Sequence, residues 1–240
     1  MYVVISKLRK TKIMKKTFKQ AFLATIPVMT GYLVLGFGFG IVLNAGGYGV
    51  LLAFVMSLAI YAGSMQYVAI GLLSGGASLV TVAVTTLMVN ARHIFYGISM
   101  LDKYKKIGKR KPYLIFALTD ETYSLVCQDE LPIPDERRRD YYLLVSVLNH
   151  AYWIIGSVVG AIIGSLVSFN TEGIDFALTA LFVTVFVEQW MSTKKHVPAL
   201  IGVGASVLCL VVFGADNFLI PAMLIIALAL CLYREGREYE

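Results

Sequence analysis

Long apolar runs separated by short polar gaps set the rhythm of this chain. Runs over 21–43, 49–73 and 77–100 fill most of the first hundred residues, and a shorter one over 113–127 carries Thr119-Asp120-Glu121-Thr122 in its middle. A hydrophilic gap over 128–140 contains Pro132, Pro134 and Arg137-Arg138-Arg139. Apolar runs then resume over 141–168, onward to Met191, over 197–213 and over 216–233. A helix that crosses a bilayer needs about 20 predominantly apolar residues. The pattern therefore predicts an all-α, polytopic helical membrane protein with six to eight membrane segments, at least one of them broken or re-entrant. Its predicted organisation is a basic N-terminus over 1–20, a first membrane half over 21–127, the hydrophilic linker 128–140, a second membrane half over 141–233 and a tail over 234–240.

Polar residues inside the apolar runs matter more than the runs themselves. The third run holds Asn90-Ala91-Arg92-His93-Ile94-Phe95-Tyr96-Gly97. At 100° per residue, Asn90, His93 and Gly97 fall within about 60° of one another, while Arg92, Tyr96 and Ser99 gather on the opposite side. A helix polar on both faces has no lipid face there, so it is either enclosed by protein or interrupted. An Arg at the centre of a membrane helix costs roughly 2.5–3.5 kcal/mol on insertion scales, so it snorkels, pairs with an acid or lines a solute path. The second run holds Gly63-Ser64-Met65-Gln66, where a break would free backbone groups to bind polar solute and an unbroken helix would use Gln66 as an interhelical hydrogen bond. Over 113–127 the two carboxylates make either an interfacial amphipathic helix or a re-entrant element that carries acids into the protein. Glycines read differently: Gly36 and Gly40 in the first run, and Gly156, Gly160 and Gly164 in the second half, recur every four residues and predict close helix packing. A comparison of the two halves gives no internal repeat above chance.

Composition agrees with the pattern: 58% of residues are hydrophobic and 15% charged, with a mean hydropathy of +0.74. The formal net charge of +6 would suggest nucleic acid in a soluble protein, but here the excess Lys and Arg sit in the gaps, as in cytoplasmic loops of membrane proteins. Nucleic-acid binding is therefore not expected. Lys7 to Lys19 include seven basic residues and no acid, which puts the N-terminus in the cytoplasm. The first run is too long for a signal-peptide core, and Met14-Lys15-Lys16-Thr17 also reads as an alternative start. The basic loop 102–112 should be cytoplasmic too, which requires an even number of crossings, yet three apolar runs precede it. The run containing Gly63 is the best candidate to be re-entrant. Glu188, near the end of the run that closes at Met191, reads as interfacial. Cys127, Cys209 and Cys231 have no metal-ligand spacing and read as packing residues. No metal or cofactor is expected. The chain lacks H-E-x-x-H and G-x-S-x-G, which argues against an intramembrane enzyme.

Three elements, Ala62-Gly63-Ser64-Met65-Gln66, Asn90 to Gly97 and Thr119-Asp120-Glu121, occur in an order that resembles the AzlC-like family of branched-chain amino acid permeases. The stretch Asp175 to Phe182 extends the likeness over most of the chain after Met14. The resemblance implies export of branched-chain or similar neutral amino acids together with a small, separately encoded AzlD-like membrane subunit. A zwitterionic substrate needs a cation for its carboxylate and acceptors for its ammonium group. Gly63, Gln66, Asn90, Arg92 and Tyr96 are the expected substrate-binding residues, with Asp120 or Glu121 as the acid. Proton coupling through His93, Asp120 or Glu121 follows from their titratability. A passive channel or a scaffold for the partner subunit is the alternative.

Overall fold

The computed structural model describes residues 2–105, 107–128, 131, 133–167, 183, 186–187, 190–191, 196–214 and 218–238. Every regular element among them is helical: α1 (Tyr2–Ala45), α2 (Val50–Ala59), α3 (Gly63–Ser74), α4 (Leu79–Val89), α5 (Arg92–Ser99), α6 (Leu101–Tyr104), a 3-10 turn (Gly108–Arg110), α7 (Lys111–Phe116), α8 (Asp120–Val126), α9 (Asp135–Leu166), α10 (Val197–Phe213) and α11 (Leu219–Glu238). By length and composition, Ile13–Ala45 of α1 and all of α9 can each cross a membrane, and α4 with α5 makes a third span if the bent pair counts as one. The second and third apolar runs are long enough in sequence, but each is broken near its polar residues. Glu188 and Gln189, and the stretch from Asp175 to Phe182, lie outside the described residues.

The chain forms two compact units, Met1–Ala177 and Leu178–Glu240. In the first, α1 and α9 lie side by side in parallel. Arg137 donates to Thr17 and Gln20 at one end, Gly156 meets Tyr32 and Leu33 midway, and Gly164 meets Ile41 and Asn44 at the other end. The glycines permit this approach: a Cβ on Gly40 would lie 2.2 Å from the Ser157 carbonyl oxygen, and one on Gly160 would lie 2.1 Å from that of Phe37. Side chains would force the backbones apart, so the periodic glycines set the crossing.

A buried cluster of Ala21, Met100, Tyr104, Ile107, Leu114, Val126, Tyr141 and their neighbours closes one end of this unit. Arg110 pairs with Asp140 there at 2.6 Å, and the Lys103 ammonium donates to the Cys127 carbonyl. The start of α1, the basic loop and the start of α9 thus share an end, as the positive-inside pattern requires. The hydrophilic residues 135–140 form the first turns of α9. In the second unit α10 and α11 pack together, with Cys209 and Ala205 buried and the Trp190 ring stacked on His196 at 4.1 Å.

Between α2 and α3 the chain folds back. Nine residues of straight helix would separate Ser57 from Gln66 by about 13.5 Å, yet the Gln66 amide donates to the Ser57 hydroxyl at 3.3 Å. Tyr61 at the tip packs edge-on against Tyr32 of α1, whereas Tyr67, further along, donates to the Leu35 carbonyl at 2.7 Å. The return leg therefore climbs α1 in the direction from which α2 came. The loop-charge parity calls for one such fold-back before the basic loop.

Candidate functional site

Three helix breaks come together around Arg92. The first, Ile60–Ala62, holds Tyr61 at φ 45, a left-handed backbone uncommon for a bulky residue and characteristic of a forced turn. The second separates α4 from α5 at Asn90–Ala91, with a bend of 47°, so the run polar on both faces is interrupted. The third, Ala117–Thr119, separates α7 from α8, and the Thr119 hydroxyl caps α8 by accepting the Thr122 amide at 3.3 Å. That cap is the local reason why a Thr-Asp-Glu sequence starts a helix here. The cap sets Asp120 against Arg92 and Glu121 against Tyr32.

Arg92 is the joint of the three. Its guanidinium bonds Asp120 at 2.8 Å and donates to the Ser64 hydroxyl at 3.2 Å, tying α5 to α8 and α3. The pair is partly screened, with side-chain exposures of 36% for Arg92 and 27% for Asp120. Two of its polar atoms, Arg92 Nε and Asp120 Oδ1, and the neighbouring Asn90 Oδ1 are buried without a hydrogen-bond partner among the described residues. The set comprises one donor on a cation and two acceptors, one anionic. Tyr96 lies beside Asp120 and stacks on Tyr123 at 4.5 Å between ring centres.

The other predicted residues take different places. Gln66 is fully buried, and both ends of its amide are engaged: it donates to Ser57 and accepts from Trp153 at 2.9 Å. It braces the α2–α3 hairpin against α9. Gly63 lies under the Trp153 ring, where a Cβ would come within 2.8 Å. His93 contacts the Asn90 carbonyl in the break before α5, 3.2 Å away, and packs edge-on against Tyr96; no acid bonds it among the described residues. Glu121 accepts from Tyr32 at 2.6 Å, while Arg92 pairs with its neighbour Asp120.

Several neighbours are not evident from the sequence. Tyr32 bonds both Glu121 and Thr119. Asn149 is fully buried and donates to Thr122 at 3.0 Å, and His150 faces Tyr61 at 4.2 Å while its Nε2 contacts the Ser57 carbonyl at 3.1 Å. Asn149-His150 stands out as a polar pair in an apolar run, but a tyrosine at position 32 gives no comparable signal. No cluster of His, Cys, Asp or Glu among the described residues could hold a metal ion.

Comparison with known proteins locates this arrangement. A family profile described as "AzlC protein" matches residues 27–167, the segment that contains all three breaks. The chain belongs to the AzlC family. It is 47% identical over 221 residues to the "Branched-chain amino acid transport protein AzlC" of Bacillus subtilis (strain 168), covering 92% of this chain and 87% of that one. It is 46% identical to an "Uncharacterized membrane protein" of Helicobacter pylori (strain ATCC 700392 / 26695), over 93% of this chain and 97% of the relative. A more distant relative, the "Inner membrane protein YgaZ" of Escherichia coli (strain K12), is 25% identical over 87% of this chain and 85% of its own length. No solved structure matches. Its apolar helices and its relatives named as membrane proteins make this AzlC-family chain a membrane protein.

Proposed function

We propose that the chain is the permease subunit of an exporter of branched-chain or similar neutral amino acids, coupled to protons and assisted by a small AzlD-like membrane subunit. In this reading it lies in the cell membrane with a cytoplasmic N-terminus and six to eight membrane segments. Some of these are hairpins and bent helices rather than straight spans. The observation that carries the reading is the unsatisfied set on Arg92, Asp120 and Asn90. Buried polar atoms cost free energy unless paired. An α-amino acid supplies the complement, a carboxylate for the Arg92 Nε–H and an ammonium for Asp120 Oδ1 and Asn90 Oδ1. Broken helices that expose polar ends around a mid-membrane solute are a recurrent transporter design. Gly63 and Gln66 act by holding the α2–α3 hairpin in place, Tyr96 by bordering Asp120. A proton-accepting role falls to Asp120, Glu121 or His93. The match to a relative named for branched-chain amino acid transport adds the side-chain class.

The test is efflux of labelled leucine, isoleucine, valine and methionine from proteoliposomes that contain the chain with and without its small partner. Uphill efflux driven by a proton gradient, together with stimulation by substrate on the opposite side, is expected. Flux without such exchange stimulation would point to a channel and overturn the reading.

A further inference from the structure

A second buried network, around Glu121, has one contact more than the Tyr32 and Thr119 hydroxyl protons can serve. Glu121, Tyr32, Thr119 and Thr122 form a continuous chain: Tyr32 lies 2.6 Å from the Glu121 carboxyl and 2.7 Å from the Thr119 hydroxyl. Thr119 in turn lies 3.0 Å from Thr122, with the geometry of a donor. A hydroxyl carries one proton and two lone pairs. Thr119 accepts the Thr122 backbone N–H on one lone pair and spends its proton on the Thr122 side chain, so its other lone pair takes the Tyr32 O–H. A Tyr32 proton so used cannot also serve Glu121, toward which Tyr32 has the geometry of a donor at 2.6 Å, so one of the two Tyr32 contacts lacks a proton. Thr122 is held as an acceptor from its other side as well, because the Asn149 amide donates to it at 3.0 Å. Three contacts directed along the chain need three protons; Tyr32 and Thr119 supply two.

We infer that Glu121 holds the coupling proton, and that Tyr32, Thr119 and Thr122 are positioning residues whose hydroxyl chain stabilises the protonated form. The inference rests on the proton-coupled transport reading and chooses Glu121 over Asp120 and His93 as the carrier. With the proton on, Glu121 donates to Tyr32, Tyr32 to Thr119 and Thr119 to Thr122. With the proton off, Tyr32 turns to donate to the carboxylate and Thr119 to Tyr32, and Thr122 loses the donor it had in Thr119. The α8 cap and α1 are thus joined more fully in the loaded state. The charged and titratable groups around Glu121 are Tyr32 from α1, Tyr61 from the hairpin tip, Tyr96 and Arg92 from α5, and Asp120 on its own helix. Arg92 is engaged by Asp120, which leaves the hydroxyl chain as the local control on Glu121.

The test uses the full chain with its small partner in proteoliposomes and measures gradient-driven leucine efflux against pH, with leucine counterflow as a control for folding and substrate binding. Thr122→Val removes the acceptor that the loaded state needs and should move the pH midpoint of efflux to lower pH by about one unit, with counterflow retained. Thr122→Ser should restore the wild-type midpoint. In a Tyr32→Phe background the link to Glu121 is cut, so adding Thr122→Val should produce no further displacement. A pH-dependent wild type whose midpoint Thr122→Val leaves in place overturns the inference alone, as does an equal displacement in both backgrounds. Wild-type efflux indifferent to pH overturns proton coupling itself.

Discussion

Gly160→Ala is the perturbation that the α1–α9 crossing should tolerate least. The added Cβ would stand 2.1 Å from the Phe37 carbonyl oxygen and 2.7 Å from the Phe37 C and Cα atoms, where ordinary contact begins at 3.4 Å. The obstructing atoms are backbone, so no side-chain rotation relieves the clash, and the helices must separate by more than an ångström. Overpacking of this kind costs about 1–3 kcal/mol. Since 1.4 kcal/mol is a factor of ten in an equilibrium constant, the folded-to-unfolded ratio should fall about 5- to 150-fold. Gly31→Ala is the control, because a Cβ there meets nothing within 4 Å and replacing a mid-helix glycine is favourable by roughly 0.5–1 kcal/mol. The assay is a reversible detergent-to-SDS unfolding titration followed by the fluorescence of Trp153, which is buried beside the crossing. Wild-type stability in Gly160→Ala, or an equal loss in Gly31→Ala, would refute the packing argument.

Further predictions concern the site and the topology. Arg92→Gln and Asp120→Asn should each lower leucine efflux more than tenfold. Each should cost only about 1 kcal/mol of stability, because the pair is about a third exposed and partly screened; SDS titration beside the flux assay separates the two effects. Gly63→Ala should push the Trp153 ring away from Gln66 and break their 2.9 Å hydrogen bond, seen as a shifted Trp153 emission, whereas Gly71→Ala, with open space around it, should leave the spectrum alone. Single cysteines placed at Lys15 and Lys109 should react with an impermeant maleimide from the same side of the membrane; labelling from opposite sides would contradict the re-entrant hairpin.

The parts of this architecture that depend on local pattern are legible in the sequence. Apolar runs, the glycines at 36, 40, 156, 160 and 164, and the basic gaps fix the helical class, the tight crossing and the shared end of α1 and the 102–112 loop. The interruption at Asn90–Ala91 is one of the two outcomes that polar residues on both faces of one helix allow, and the parity of the loop charges points to the run that folds back at Tyr61. What pattern does not carry is which polar groups meet. Asp120 and Glu121 are adjacent, yet a helix turns successive side chains by about 100°, so one faces Arg92 and the other Tyr32. Gln66 looks available for a solute in the sequence, but a tryptophan 87 residues away occupies its oxygen. Tyr32 has no flag at all, since a lone tyrosine in an apolar run has the same appearance whether it faces lipid or a buried carboxyl.

The central claim is that Arg92, Asp120 and Asn90 together hold both charges of an amino acid. Its most direct test is competition against labelled leucine bound to the purified chain with its small partner, using leucinamide, which lacks the carboxylate, and isocaproate, which lacks the ammonium group. Unlabelled leucine should displace the label and neither analogue should, with binding abolished in Arg92→Gln. Displacement by either analogue as effective as that by leucine would contradict the claim.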